Sequence, residues 1–434
     1  MTDRPDSDRT LTVAALARVE GEGAMHVVIR DGALQQVQLQ IYEPPRFFEA
    51  FLRGRKFTEP PDITARICGI CPVAYQMSAC NAIESACGVV VDGPLFDLRR
   101  LLYCGEWIES HVLHIYLLHA PDFLGFEGAI DLASAHREIV QRGLDLKKIG
   151  NELVELVGGR PIHPINIRIG GFYRVPTEAE LRAFVPKLER ARDLAVETVR
   201  WVAGFDFPDH AWRGELAALR HPGEYAINRG RLVSTLGLDI APSEFDQHIA
   251  EEHVEHSTAL HARIIERGEY LLGPLARMAL NFDELTPLAH REATAAGLTA
   301  AERNPFRSIV VRAVEVLHAC DDALAIIARY RQPDRPAIEV EPRAGVGYGW
   351  TEAPRGMLWH RYELAADGTI LAARIVPPTS QNQAGIEHDL FEFVAANLDL
   401  ADDELRHRSE QVIRNFDPCI SCATHFLDLT VDRT

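Results

Sequence analysis

Two pairs of cysteines give the sequence its strongest chemical signal. Cys68 and Cys71 stand in the segment RICGIC, and Cys419 and Cys422 stand in DPCISC near the other end of the chain. A C-x-x-C pair at the start of a helix can direct both sulfurs at one metal, because the free N–H groups and the helix dipole favour thiolate over thiol there. The two pairs together indicate a metal site with four thiolate ligands.

The softness of sulfur limits the metals that such a site can hold. Thiolates select zinc, iron–sulfur clusters or other soft transition-metal centres. A structural zinc site is the main alternative, but zinc ribbons usually place their two pairs about 15–20 residues apart. A thioredoxin-like redox pair is disfavoured because neither pair lies in a βαβ pattern. His425, three residues after Cys422, is a further candidate for a metal ligand or for a hydrogen-bond partner of one.

The composition is that of an acidic globular protein. The chain has 434 residues, of which 47% are hydrophobic and 25% are charged, and its formal net charge is -18. This charge argues against binding to nucleic acid and against docking on an anionic membrane through a basic patch. There is no uncharged apolar run of about 18 residues, and the charged start MTDRPDSDRT lacks the apolar segment of a signal peptide. We therefore expect a cytoplasmic protein without direct membrane insertion, whose eight cysteines favour metal ligation over disulfides.

Helical periodicity dominates the elements that must hold the cysteines in place. Residues 11–43, with an Asp31-Gly32 turn, predict a small antiparallel sheet, and residues 357–376 predict a second one with an Asp367-Gly368 hairpin turn. Helical patterns cover 46–54, 72–88, 95–120, 131–157, 178–205, 257–280, 306–331, 384–398 and 402–414, and Pro and Gly clusters predict loops at 158–176 and 333–356. The predicted fold class is mainly α with small β modules (α+β), in a single domain spanning 1–434.

The segments around the cysteines match one protein family. RICGICPVAYQMSA near the front and DPCISCATH near the back resemble the two signature motifs of nickel–iron hydrogenase large subunits. Further blocks resemble the family in the same order along nearly the whole chain: RVEGEG (18–23), FFEAFLRGR (47–55), ESHVLHIYLLHAPDF (109–123), GGRPIHP (158–164), GGF (170–172), EAPRG (352–356) and IVPPTSQN (375–382). The compact length and the motif RICGICPVAYQ are most similar to the cytoplasmic, bidirectional, NAD(P)-linked branch of the family, whose members are also called sulfhydrogenases. The resemblance implies a large helical bundle around a buried metal site, and reversible heterolytic cleavage of H2 to protons and electrons.

The resemblance also implies the identity of the metals. Cys68 and Cys419 correspond to terminal nickel ligands, and Cys71 and Cys422 to the ligands that bridge nickel to an iron carrying cyanide and carbon monoxide. The family also has a magnesium ion close to this centre, in keeping with the preference of a hard cation for oxygen donors.

The ligands of that magnesium ion correspond to three positions here. They are Glu49, a main-chain carbonyl near Ile375, and His425, which is an unusual partner for a hard cation. Thr379 stands where the family places a hydroxyl that faces a cyanide ligand.

Four residues correspond to catalytic groups of the family. Cys419 is our first choice for the base that takes the proton from H2, and Arg355, which corresponds to a guanidinium over the open metal position, is the competing candidate. Glu20 matches the glutamate that accepts the proton from the terminal cysteine. Asp417 would hydrogen-bond to Arg355 and orient it.

Electrons must leave through another chain. The remaining cysteines, Cys80, Cys87, Cys104 and Cys320, lack the spacing of an iron–sulfur cluster. GVGYGW (345–350) is only superficially similar to a dinucleotide fingerprint, and we interpret it as a loop. We therefore expect iron–sulfur clusters on a small subunit, and flavin and NAD(P) on diaphorase-type partner subunits.

Other features have more ordinary interpretations. His111, His114 and His119 lie on one buried helical pattern and are expected to be satisfied core histidines rather than metal ligands, and His163 is expected to be structural. The family often has a histidine at the position of Tyr75, which we expect to face the cluster of the partner subunit. The resemblance further implies that 426–434 is a propeptide, cleaved after His425.

Three alternatives remain at the level of the sequence. The related quinone-site subunit of respiratory complex I shares the fold but lacks the metal cysteines. A non-catalytic zinc scaffold would leave Glu20, Glu49 and Arg355 without a common purpose. An H2-sensing regulator resembles the enzyme at the metal site, but such sensors usually lack a cleavable tail.

Overall fold

The computed structural model describes residues 8–424, so His425 and the predicted propeptide 426–434 lie outside the described residues. Within this range the α-helices are α1 Phe48–Leu52, α2 Pro60–Thr64, α3 Pro72–Cys87, α4 Gly93–Leu113, α5 Ala120–Leu124, α6 Ala129–Ala135, α7 Arg137–Gly158, α8 Glu178–Val202, α9 Phe245–His248, α10 Pro274–Asn281, α11 Pro287–Ala295, α12 Ser308–Arg329, α13 Pro378–Ala396, α14 Asp402–Asn415 and α15 Ile420–Ala423. A π-helical segment, His114–His119, joins α4 to α5, and 3-10 turns occur at Ala65–Ile67, Pro242–Glu244, Phe282–Glu284 and Pro305–Arg307.

The strands form several small sheets around these helices. They are β1 Arg9–Val13, β2 Gly23–Arg30, β3 Ala33–Ile41, β4 Ile167–Arg168, β5 Gly171–Phe172, β6 Glu215–Arg220, β7 Arg231–Ser234, β8 Asp239–Ile240, β9 Ile249–Val254, β10 Ser257–Ile264, β11 Tyr270–Leu271, β12 Gly345–Ala353, β13 Gly356–Leu364 and β14 Ile370–Val376. Antiparallel pairing gives the sheets β1-β2-β3 and β12-β13-β14 and the hairpins β4/β5 and β9/β10, while β11 pairs parallel with β6 in the order β11-β6-β7-β8. The predicted fold class, mainly α with small β modules, is confirmed.

The buried helix α4 is the centre of the helical layer, where it packs against α7 and α12. Asp92 begins it, because its Oδ1 atom accepts the Gly93 N–H at 2.7 Å. Glycines then bring α7 into backbone contact: a Cβ added at Gly105 would lie 3.1 Å from Gly150 O, and one added at Gly150 would lie 2.8 Å from Glu109 N. This close approach fixes the face of α4 that points towards the cysteines.

Strand β12 packs directly on helix α3. A Cβ added at Gly347 would lie 2.0 Å from Ala82 O, and one added at Gly349 would lie 2.4 Å from Ala82 N. The interpretation of 345–350 as a loop is therefore wrong. The glycines of GVGYGW allow helix α3 to approach the backbone of strand β12 closely.

Two of the predicted helices also need correction. The segment 257–280 is not one helix, because β10 pairs antiparallel with β9 and only α10, from Pro274, is helical. Ser257–Ile264 is an almost continuously buried run, and such a run does not distinguish a strand from a helix by periodicity. The helix predicted over 131–157 breaks at His136, where φ is -134° and ψ is 56°, into α6 and α7.

Strands occupy both regions predicted to be sheets, and β4 to β11 add sheets that the sequence did not predict, with β4 and β5 inside the predicted loop 158–176. The single-domain organisation stays a prediction. Among residues 8–424, no helix has both the length and the apolar character that crossing a membrane requires.

Candidate metal centre

The four predicted cysteine ligands lie together, although 351 positions separate Cys68 from Cys419 and Cys71 from Cys422. The Sγ atoms of Cys68 and Cys419 are 3.3 Å apart, and those of Cys71 and Cys422 are 3.6 Å apart. All four sulfurs lie within 4.8 Å of one another. Each residue is at most 3% exposed and none forms a disulfide. A single buried point therefore faces four sulfur donors.

Local backbone structure directs the first pair inward. Cys68 follows the 3-10 turn Ala65–Ile67, and Cys71 immediately precedes α3. Glu106 of α4 accepts the Val73 N–H at 2.6 Å and the Ala74 N–H at 3.2 Å, so a buried carboxyl caps the start of α3. No sequence pattern indicates this role, because Glu106 is a single acidic residue of one helix and its partners lie at the start of another.

Arg46 connects the two cysteine segments. Its side chain donates to Ile67 O at 2.7 Å and to Ser421 O, and its main-chain N–H donates to Thr424 O at 2.7 Å. The Ile67 and Ser421 carbonyls directly precede Cys68 and Cys422, and Thr424 lies two residues after Cys422. Sequence reasoning missed Arg46, since a single arginine before a short helix belongs to no pattern.

Burial and mutual contact perturb the thiols in opposite directions. Hydrogen bonds from Cys419, Cys422 and Cys71 hold the pKa of Cys68 well below its usual range. Burial raises the pKa of Cys419 well above its usual range and also raises that of Cys422. Four thiolates so close together therefore require compensating positive charge. The all-sulfur, buried and undisulfided donor set fits a soft transition-metal group.

Glu20, the predicted proton acceptor, lies beside the cluster of four cysteine sulfurs. The Cys419 thiol donates to Glu20 Oε2 at 3.1 Å, and the Ser421 N–H donates to the same oxygen at 3.1 Å. The Ile420 N–H also donates to Glu20 O at 2.9 Å, so the main chain fixes the position of Glu20. The Ser421 hydroxyl then donates to Glu43 Oε2 at 3.1 Å. Ser421 and Glu43 extend a polar path that the sequence did not predict.

Arg355 and Asp417 form a buried pair on another side of the sulfurs. Arg355 Nε donates to Asp417 O at 2.7 Å, and Nη2 donates to Asp417 Oδ1 at 3.1 Å. Arg355 is 2% exposed, and although burial opposes its charge, Asp417 and the nearby thiols raise its pKa well above the usual range. Ser110 Oγ lies 3.5 Å from Arg355 Nη1. The site thus holds one fixed guanidinium cation next to the four sulfurs.

Thr379 lies at the start of α13 and contacts the main chain of Cys419. Its Oγ1 atom accepts the Cys419 N–H at 3.1 Å. The side chain is 2% exposed, so its hydroxyl is directed into the buried site rather than towards solvent. Its predicted contact with a cyanide ligand stays a prediction.

Two of the three predicted magnesium ligands lie together. Glu49 Oε1 accepts the Ile375 N–H at 2.7 Å. Burial raises the pKa of Glu49 to about 7, although that N–H opposes the shift. The Glu49 carboxyl offers oxygen donors, which fits a hard cation, whereas the atom of Ile375 that contacts it is the N–H, so the main-chain carbonyl stays a predicted ligand. The third predicted ligand, His425, lies outside the described residues.

The buried histidines of α4 and the π-helical segment do not form a metal group. His111 Nε2 lies 3.0 Å from Glu315 Oε2, and His114 Nε2 is 2.8 Å from Arg414 O. The expectation of a satisfied histidine is wrong for His119, whose ring nitrogens have no hydrogen-bond partner among residues 8–424. Burial lowers the pKa of His119 to about 3, so the ring is neutral.

Other residues near the site also have defined positions. His163 Nδ1 lies 2.7 Å from Ala65 O, next to the first cysteine segment. Tyr75 is 1% exposed, and its phenol lies close to Cys71 and Cys422. Its expected orientation towards the cluster of the partner subunit stays a prediction.

One further group of metal-binding side chains was missed. His256, His261 and Glu387 place ligand atoms within 4.8 Å of one another. Two histidines five positions apart in a hairpin and a glutamate far along the sequence form no recognisable motif. Cys80, Cys87, Cys104 and Cys320 are buried and free.

Comparisons with known proteins find matches along nearly the whole chain. The family described as nickel-dependent hydrogenase matches residues 46–142 and 274–425, more than half of the sequence. Sulfhydrogenase 1 subunit alpha of Pyrococcus furiosus is 32% identical over 424 residues, covering 96% of this chain and 98% of the relative. Sulfhydrogenase 2 subunit alpha of the same organism is 34% identical over 421 residues, covering 95% and 98%. A crystal structure of an NAD+-reducing NiFe hydrogenase in the H2-reduced state has a TM-score of 0.86 and 28% identity, covering 97% of this chain and 100% of that chain.

Proposed function

This chain belongs to the nickel-dependent hydrogenase family, in which it is a catalytic large subunit. We propose that it cleaves H2 reversibly and heterolytically into protons and electrons. The observation that carries the proposal is the contact between Cys419 Sγ and Glu20 Oε2 at 3.1 Å, at the edge of a four-sulfur cluster. A structural zinc site needs four sulfurs but no carboxylate within reach of one of them. A hydrogenase needs both, because H2 cleavage releases protons that must leave.

The sulfurs would hold a nickel–iron group. In this proposal Cys68, Cys71, Cys419 and Cys422 would together hold nickel and an iron that carries cyanide and carbon monoxide. When bound, the group supplies Lewis-acid polarisation of H2 and accepts its electrons. A magnesium ion near Glu49 and the main chain of Ile375 completes the proposed set, with His425 as its third ligand.

The side chains around the sulfurs handle the proton. Cys419 holds it at Sγ and passes it to Glu20 Oε2, within ordinary hydrogen-bond reach. Glu20 is fixed by the Ser421 N–H, and the Ser421 hydroxyl contacts Glu43, which is half-buried near the surface. The Ser421 N–H only fixes Glu20, but the hydroxyl of the same residue and Glu43 mark the side of the site that leads towards solvent, and in this proposal the proton leaves Glu20 on that side.

Arg355 fixes the charge and the shape of the side of the site that it occupies with Asp417. Its two bonds to Asp417 hold the guanidinium in one orientation. A cation placed next to buried thiolates stabilises their negative charge, and a guanidinium stays protonated at any working pH. In this proposal Arg355 positions H2 and lowers the cost of charge separation, with Cys419 remaining the first base.

Electrons are proposed to pass to partner chains. Among residues 8–424, the remaining cysteines form no metal group. Two related proteins are named as alpha subunits, and one of the matching solved structures is of an NAD+-reducing enzyme. These relationships support a small subunit with iron–sulfur clusters, and diaphorase-type subunits with flavin that reduce NAD(P). A cytoplasmic location stays part of the proposal.

Infrared spectroscopy of the complex purified with its neighbouring subunits tests the metal group. We expect stretching bands of metal-bound carbon monoxide and cyanide, and their loss in Cys71→Ala. The matched control is Cys80→Ala, another buried cysteine of the same region, which should keep the bands. A fully metal-loaded sample with zinc alone and without these bands would support the scaffold instead.

A further inference from the structure

A second group of metal-binding side chains lies where the β9/β10 hairpin packs on helix α13. His256 stands in the turn of the hairpin, His261 on β10, and Glu387 on α13. We propose that these three residues bind a divalent transition metal, with zinc the ion that their nitrogen and oxygen donors fit. This inference does not rest on the proposed hydrogenase function.

The distances suit one ion held between three ligands. His256 Nε2 is 2.7 Å from Glu387 Oε1, and His261 Nδ1 is 4.0 Å from Glu387 Oε2. Ligand atoms of a tetrahedral zinc ion are about 3.4 Å apart, given metal–ligand bonds of about 2.0–2.2 Å. Both distances to Glu387 are therefore within about 0.7 Å of the spacing that such an ion requires.

His261 has no other explanation among the described residues. The residue is 2% exposed, its Nδ1 atom is too far from Glu387 for a direct hydrogen bond, and Nε2 has no hydrogen-bond partner within residues 8–424. A buried imidazole without a hydrogen bond costs free energy.

Glu387 is oriented towards the proposed ion by the backbone. Its Oε1 atom accepts the Leu39 N–H of β3 at 2.8 Å. Such outer hydrogen bonds fix the direction of a ligating carboxylate. A hydrogen bond between His256 and Glu387 would satisfy those two residues without a metal, but it would leave His261 unexplained.

The fourth ligand of the ion would be water. The side chains of His256 and Glu387 keep 19% and 17% of their exposure, so solvent reaches one side of the group. The ion would join the hairpin to α13, the helix whose first turn carries Thr379. Its function would be to hold that helix, and with it the hydroxyl that contacts Cys419, against the hairpin.

Zinc binding to the purified complex tests the proposal. The complex is treated with EDTA, incubated with zinc sulfate and desalted, and zinc per chain is measured together with nickel. We expect His261→Gln and Glu387→Gln each to lower the zinc content by one ion per chain, with unchanged nickel. The matched control is His253→Gln, a histidine of the same hairpin outside the group, which should bind as much zinc as the wild type.

A second measurement separates loss of the ligand from loss of the fold. Zinc should raise the unfolding temperature of the wild-type complex and of His253→Gln, but not that of His256→Gln, and anomalous diffraction at the zinc edge should place the ion between the three side chains. Equal zinc contents in the wild type and in the His261→Gln and Glu387→Gln variants, or a zinc peak elsewhere only, would overturn the proposal. So would variants that lose zinc and nickel together, because the loss would then be one of folding.

Discussion

The Glu20 carboxylate and the Cys419 thiol are in hydrogen-bond contact at 3.1 Å, although 399 positions separate them in the sequence. The contact is not made by the side chains alone, because the backbone of Glu20 accepts the Ile420 N–H at 2.9 Å. The N-terminal region therefore delivers a carboxylate to the last described helix at a fixed distance. Such a contact allows proton transfer without any prior movement of the chain.

Glu20→Gln should abolish turnover while leaving the metals in place. The amide keeps the shape of the side chain but cannot accept a proton, so we expect H2 oxidation to fall by at least about 10²-fold, the scale of general acid–base catalysis. Turnover and nickel and iron contents are measured on the same sample. Glu22→Gln, an exposed neighbour with the same change of charge, is the control. Near-normal turnover in fully loaded Glu20→Gln would remove Glu20 from the mechanism.

Ser421→Ala should slow proton release more mildly. The change removes the hydroxyl that donates to Glu43 Oε2 at 3.1 Å but keeps the main-chain N–H that fixes Glu20. We expect turnover to fall by about 10-fold, less than for loss of the direct acceptor, and the effect of D2O on the rate to increase. Ser134→Ala, an exposed helical serine, is the control. An unchanged rate and isotope effect would mean that protons leave Glu20 by another route.

Arg355→Lys should retain the positive charge but lose activity. An ammonium group cannot reproduce both the 2.7 Å bond to Asp417 O and the 3.1 Å bond to its carboxylate. Loss of one fixed electrostatic donor at an active site typically costs about 10²-fold or more in rate, and we expect a fall of that size with normal metal content. Arg361→Lys, on the strand that follows, provides the control for a general effect of the substitution. Equal rates for the two variants would show that orientation of the guanidinium is unimportant.

Glu106→Ala should destabilise the start of α3. Removing the carboxyl leaves the Val73 and Ala74 N–H groups without their partner, at a cost of about 1–3 kcal/mol for a buried unsatisfied group. Because Oε1 and Oε2 of Glu106 each accept one of these N–H groups, Glu106→Gln, which has a single acceptor oxygen, should keep one bond and lose the other. Thermal unfolding of the loaded complex should therefore rank the wild type above Gln and Gln above Ala. Equal unfolding temperatures for the wild type and Ala would contradict the capping role of Glu106.

Gly347→Ala should disrupt the packing of β12 on α3, whereas Gly345→Ala should not. The added methyl group would lie 2.0 Å from Ala82 O at position 347, but its nearest neighbour at position 345 would be 3.9 Å away. Overpacking of a rigid contact typically costs about 1–3 kcal/mol, and because α3 follows directly on Cys71 we expect reduced nickel loading as well. Unfolding temperature and nickel content measure both effects. Similar values for the two variants would refute the close packing.

Much of the helical layer could be predicted because its elements are long and periodic. The patterns over 72–88, 178–205 and 306–331 correspond to α3, α8 and α12. Strand β10 could not be predicted in this way, since its buried run became a strand through pairing with β9, a contact that no local pattern encodes. Strand β12 was mistaken for a loop because its glycines are typical of loops. Their presence in a strand is explained only by the helix that packs against it.

The residues of the candidate site also fall into those that a sequence pattern predicts and those that it does not. Cys68, Cys71, Cys419 and Cys422 could be predicted because paired cysteines have a spacing that chemistry explains, and the family resemblance added Glu20 and Arg355. Arg46 and Glu106 could not, since each acts through carbonyl or N–H groups of distant segments. Single polar residues with long-range backbone partners leave no periodic or spacing signal in a sequence.

The burial of the four cysteines also governs how metal exchanges at the centre. An ion held there is enclosed by segments from both ends of the chain, and each cysteine is at most 3% exposed. Release then requires local unfolding of the cysteine segments, which is slow when the segments are packed and hydrogen-bonded. Such a centre does not equilibrate with ions in a buffer on the timescale of a preparation. The metal content of a purified sample therefore records what the chain encountered before the site closed, rather than the relative affinities of the ions around it afterwards.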